Sequence, residues 1–206
     1  MCGLIKWTNV FAWANKAMIT SKEDLERYLA EDSRSNSMDG VSCISYALRL
    51  MFGSERAHIW RYIKCLRLCE YYLNTTAIAH GILAKYYRLK LHRLGFRYGL
   101  RIPPNVCDPG IMVWHLAGGG CFVNAKKIGR NCRLQTGVVI GAAKGSHSGN
   151  PVIGDNVEFG PGAKVLGGVT IGHNVFVASN AVVVNDIPDN CLVGGVPAKV
   201  IKHFEH

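Results

Sequence analysis

The sequence predicts an α+β protein, an N-terminal helical segment followed by a parallel β-helix of hexapeptide repeats. Three observations carry that expectation. Residues 18–100 contain no proline and few glycines, whereas all seven prolines and most of the 23 glycines lie beyond residue 101. The first half spaces its apolar residues as a helix does, and the second repeats them every six residues, which is neither the strand period of two nor the helical 3.6. At 206 residues the chain can bury one compact core or two small ones, and its ordinary hydrophobic fraction of 49% excludes disorder.

Residues 1–17 read as an extension. Leu4, Ile5, Trp7, Val10, Phe11, Trp13 and Ala14 are interrupted by Lys6, Asn9, Asn15 and Lys16, so no run reaches signal-peptide quality or the roughly 18 apolar residues of a membrane span. An amphipathic helix, packed on the domain or lying on a membrane surface, is expected there, with Met18 as a natural start. A cytoplasmic location follows, and the eight cysteines, none in a Cys-x-x-Cys pair, are expected as reduced, buried thiols.

Residues 18–101 are expected to form a helical cap. Ser21 caps a helix that starts at Lys22, with Glu23 and Asp24 in its first turn. Helical spacing runs from Ile59 to Leu94, with its likeliest interruptions at residues 74–76 and Gly81. Arg101-Ile-Pro-Pro-Asn105 then ends helix formation.

Residues 102–206 carry the repeat. Phe122, Ile128, Leu134, Ile140, Ile153, Phe159, Val165, Ile171, Val177 and Val183 are separated by six residues, except for thirteen between Ile140 and Ile153. A second small or apolar series follows four residues later, at Cys132, Val138, Val157, Ala163, Val169, Val175, Ala181 and Ile187. Each six-residue unit reads as one flat side of a triangular coil, with the first residue pointing inward and Gly or Asn turning the corner. The long step predicts an excursion loop at residues 141–150, where function is apt to concentrate on a rigid scaffold.

These units, with Trp114-His115-Leu-Ala-Gly-Gly, Leu134-Gln-Thr-Gly-Val-Val-Ile-Gly141, the Lys144 loop and Gly194-Gly-Val-Pro-Ala-Lys-Val-Ile201, resemble the hexapeptide-repeat acyltransferases. Within that superfamily the chain looks most like serine O-acetyltransferases, and over its cap like a subgroup found with capsular or surface-polysaccharide synthesis. The resemblance implies a left-handed coil, a homotrimer with active sites between subunits, and acetyl-CoA as acetyl donor, with no metal. It places the catalytic histidine at His115, a general base whose neutral imidazole would take a proton from an acceptor hydroxyl. It places Gly141, Gly160, Pro161 and Ser179 along a CoA groove, with Lys144 and Lys199 near the phosphates.

Departures from the serine-specific pattern bear on the acceptor. Trp114 stands where serine acetyltransferases have an aspartate, Gly149-Asn150 replaces an Arg-His pair, and the place of the carboxylate that orients the base falls near Arg101. Free serine needs partners for both its charges, whereas a sugar could stack on Trp114 and bond to Asn150 and Ser146, with His147 nearby. A sugar hydroxyl is therefore the expected acceptor. A genuine serine acetyltransferase is the alternative and a non-catalytic solenoid a third reading; a metal hydrolyase is disfavoured, because the separations of His115, His147 and His173 do not bring all three to one edge of an eighteen-residue coil. Asp108, near in sequence, or a backbone carbonyl is a candidate for orienting His115.

The net charge of +10 is concentrated in the cap. Ten Lys/Arg and one acidic residue, Glu70, lie between Arg56 and Arg101. Nucleic-acid binding is not expected, because no recognised motif accompanies the basic residues. A solvated face, or peripheral contact with an anionic membrane, is expected instead.

Overall fold

The computed structural model describes residues 19–75, 78–143 and 148–204. Among the described residues four helices come first, α1 (Lys22–Ser35), α2 (Cys43–Met51), α3 (Glu55–Asn74) and α4 (Ile78–Tyr98). Ser21 caps α1 by accepting from the Asp24 N–H at 3.0 Å, and the helical run breaks between Asn74 and Ile78. Helix α2 has no buried residue and was not signalled by the spacing.

Fourteen short strands follow: β1 (Leu100–Arg101), β2 (Met112–Val113), β3 (Cys121–Val123), β4 (Lys127–Ile128), β5 (Arg133–Leu134), β6 (Val138–Gly141) and β7 (Val152–Ile153), then β8 (Glu158–Phe159), β9 (Lys164–Leu166), β10 (Thr170–Ile171), β11 (Phe176–Val177), β12 (Val182–Val183), β13 (Cys191–Gly194) and β14 (Lys199–His203). They stack into three faces of a parallel β-helix. The first is β1-β3-β6-β9-β12, the second β4-β7-β10, and the third β2-β5-β8-β11-β13, to which β14 adds antiparallel. The chain visits first, second and third faces in turn, so each coil has three edges.

The core is the predicted repeat seen end-on. Ile128, Ile153 and Ile171 stack in register on the second face, and Leu134, Phe159 and Val177 on the third, with the nine repeat positions from Ile128 to Val183 at most 1% exposed. Phe122 is a correction. Strand alternation puts Cys121 and Val123 inside, so Phe122 faces outward, 38% exposed, under the Arg101 guanidinium at 5.2 Å. Val123 takes the interior place, and the step to Ile128 is five residues.

At the edge between the second and third faces, Asn131, Asn156, Asn174 and Asn190 all have positive φ, which asparagine tolerates better than most residues. Their side-chain amides form a ladder, each donating to the next at 3.2, 2.9 and 2.8 Å.

The cap is fastened to the first coil by charges without solvent contact. Arg67 of α3 donates to Asp32 of α1 at 2.7 Å, to Glu70 at 2.9 Å, and to the carbonyls of Cys107 and Asp108 at 2.8 and 3.1 Å. Asp32 in turn accepts from the N–H groups of Gly110 and Ile111, and Glu70 from that of Asn105. Every polar group in the cluster is paired, as burial of charge demands. The segment that leads to residue 115 is thereby clamped to two helices.

Candidate active site

His115 follows β2 at the edge between the third and first faces. Its φ is +59°, and of the eight non-glycine residues with positive φ among the described residues, six are asparagines. Histidine shares with asparagine an enrichment at positive φ, but the conformation remains uncommon, and here contacts hold it. Glu55, the first residue of α3, supplies them. Its Oε2 lies 3.0 Å from His115 Nδ1, while Oε1 accepts from the N–H groups of Leu116 and, at 3.3 Å, Ala117.

Burial pushes the Glu55 carboxyl up, but the hydrogen bonds from Leu116, His115 and Ala117 outweigh it and hold the group below the usual carboxylate value. Its place in the first turn of α3 also favours negative charge. A carboxylate can only accept, so Nδ1 carries a proton, and in the neutral ring the free lone pair is then on Nε2. The ring is 61% exposed, so that lone pair is within reach of a substrate.

A recess of about 50 Å³ adjoins this pair, lined by Asn36, Ile59, Met112 and Trp114 among others. Asn36 donates to the Ile111 carbonyl at 2.8 Å and accepts from the Val113 N–H at 3.4 Å, tying the end of α1 to the strand before His115. Trp114 is half-buried, its indole N–H directed at the Met112 sulfur at 2.9 Å and its ring inclined at 64° to that of His115, with centroids 6.1 Å apart. Ligand pockets usually run to several hundred Å³, so this recess alone is too small for an acceptor and a thioester.

The expected cofactor residues divide between edges. Backbone bonds run from Trp114 to Leu134, Gln135 to Phe159, Gly160 to Val177 and Ala178 to Val193, so the third–first edge carries His115, Gly160, Pro161 and Ser179 down successive coils. A Cβ on Gly160 would come within 2.7 Å of the Ser179 nitrogen, which shows how closely the coils approach there. Lys199, exposed and paired with Gly194, closes the same edge. Gly141 and Asn150 lie instead on the first–second edge, so within one chain the structure does not bring Asn150 to His115. Lys144, Ser146 and His147 lie outside the described residues.

Glu55 and Asn36 were missed by the sequence reading. Asp108 does not orient His115; its carboxylate pairs with Lys127 at 3.1 Å. The available signal was Ser54-Glu55 at a helix start, but that pattern has an ordinary capping role and says nothing of a partner 60 residues on.

Residues 150–185 match the family model described as bacterial transferase hexapeptide (six repeats). The chain is 37% identical over 118 residues to a serine acetyltransferase of Synechococcus elongatus, a match covering 55% of this chain and 47% of that protein. It is 42% identical over 78 residues to one of Staphylococcus xylosus, covering 37% and 36%. The chain thus spans about half or less of the curated relatives it matches. The solved serine acetyltransferase of Neisseria gonorrhoeae, in complex with serine, superposes with a TM-score of 0.62 at 26% identity, over 88% of this chain and 71% of that one. These similarities favour a serine acetyltransferase type of chain over the expected capsular subgroup and its sugar acceptor.

Proposed function

We propose that the chain is an acetyl-CoA-dependent O-acetyltransferase of the serine acetyltransferase type, with His115 as general base and L-serine as acceptor. The observation that carries this reading is the Glu55–His115 hydrogen bond at the head of one solenoid edge. Nε2 would take the proton of the acceptor hydroxyl as its oxygen attacks the acetyl carbonyl. The tetrahedral intermediate collapses with cleavage of the carbon–sulfur bond, and the imidazolium returns the proton to the departing CoA sulfur. No acyl-enzyme is required.

CoA would lie along Gly160, Pro161, Ser179 and Lys199, with the lysine at a phosphate. The small recess and the placing of Gly141 and Asn150 on another edge support a homotrimer, in which a neighbour's first–second edge completes the site. A left-handed coil belongs to the same reading, as does a cytoplasmic place of work, where acetyl-CoA is available.

One observation favours a second acceptor class. Trp114 borders the recess where the resemblance expects an aspartate, and Gly149-Asn150 offers no charge to pair with an amino acid. Release of CoA from acetyl-CoA, measured with L-serine and with a panel of sugars and nucleotide sugars, decides between them. Turnover with L-serine supports the main reading, and turnover with a sugar alone replaces it by the second. Folded protein that turns over with no acceptor leaves the non-catalytic solenoid.

A further inference from the structure

Helix α4 contains no acidic residue, and its outer face combines two kinds of side chain. Ile82, Tyr86, Leu89 and Phe96 are 72%, 53%, 51% and 80% exposed. Spacings of four, three and seven put them on one stripe of a 3.6-residue helix, about 21 Å long at 1.5 Å per residue. Arg93 sits within the stripe, Lys85 and His92 border one side, and Lys90 and Arg97 the other. The opposite face, with Ala84, Leu91, Leu94 and Tyr98, is buried.

We infer that this face docks α4, lying flat, on an anionic lipid surface. Ile82, Leu89 and Phe96 enter the boundary between headgroups and acyl chains, and Lys85, Lys90, Arg93 and Arg97 meet the lipid phosphates. The pairing of the two chemistries selects this partner. A soluble anion would leave the apolar stripe in water, a purely apolar partner would strip the cations of solvent, and a second copy of the face would oppose like charges. An anionic headgroup layer over hydrocarbon satisfies both parts at once. Among the described residues no helix is long and apolar enough to cross a membrane, so the contact is peripheral. Arg97 and Tyr98 also border an open depression of about 420 Å³ shared with Leu116, Ala117, Gly119 and Gly120, so the docked face ends beside the loop that follows His115. This inference does not depend on which acceptor the enzyme uses.

Co-sedimentation of the full chain with phosphatidylcholine vesicles, with and without about 30% phosphatidylglycerol, tests it at about 0.1 and 0.5 M salt. Binding is expected on the anionic vesicles at low salt, and at least about tenfold weaker on neutral vesicles or at high salt. Leu89→Glu/Phe96→Glu and Lys85→Gln/Arg93→Gln/Arg97→Gln should each weaken it about tenfold or more while leaving the circular dichroism and Tm unchanged. Absence of binding, equal binding to neutral vesicles, or variants that bind as the parent does would overturn the proposal. So would a change of sedimentation coefficient in either variant without vesicles, which would assign the stripe to another copy of the chain.

Discussion

Glu55 reaches His115 from the first turn of a helix that precedes the whole solenoid, and one carboxylate holds both the imidazole ring and the main chain that follows it. The helical cap is therefore part of the candidate site. Its attachment through Arg67, Asp32 and Glu70 sets the distance at which Glu55 meets the ring.

Replacing the proposed base should separate chemistry from folding. His115→Ala is expected to lower kcat by about 10²- to 10⁴-fold with a folded chain, an unchanged oligomeric state and a Tm lowered by only a few degrees. Steady-state kinetics beside analytical ultracentrifugation check this; an activity close to that of the parent would remove His115 from the role.

Glu55→Gln keeps the shape but not the charge. An amide cannot accept with both its terminal atoms, so the hydrogen bonds to His115 and to the Leu116 main chain compete for a single oxygen. A fall in kcat of at least about tenfold is expected, with a smaller effect on the KM for acetyl-CoA. A loss confined to KM would contradict an orienting role.

The same carboxyl gives a pH signature. Its folded pKa lies below the unfolded value of about 4.3, so its stabilising contribution is full above that value and is lost as pH falls through the folded one. Parent and Glu55→Gln proteins should differ in Tm at neutral pH and converge in acid. Thermal melts across that range test the sign, and a gap that widens in acid would refute it.

Arg67→Met leaves Asp32 and Glu70 buried without their partner. A loss of about 3–5 kcal/mol is expected, read as a Tm lower by roughly 10 °C. Surviving protein should also show weakened His115 activity, because the segment before residue 115 is released.

Thiol chemistry reports the core. Of the seven described cysteines only Cys43 is exposed. Burial pushes Cys65 up to about 11 and Cys69, Cys121 and Cys132 up to about 12. In a Cys2→Ser background, an aromatic disulfide reagent should modify one thiol quickly and the other six only on unfolding. Fast reaction of several would mean a looser coil.

The repeat and the candidate base were legible because each rests on local periodicity or motif. A six-residue step demands an inward residue on every flat side, and nine of the ten predicted positions obey it. Phe122 did not, since the short alternation of β3 outranked the longer period. Glu55 was illegible for a different reason: its role arises from a contact between segments 60 residues apart, which no local pattern encodes.

By itself, then, the sequence determined a helical cap, a β-helix and a histidine on one of its corners, because hydrophobic burial acts along each coil independently. Only the tertiary structure decided which carboxylate holds that histidine and which predicted residues share its edge. Those relations depend on how buried charge pairs seat α1 and α3 against the first coil, and the energy of such pairs is fixed by distance in space rather than by order in the chain.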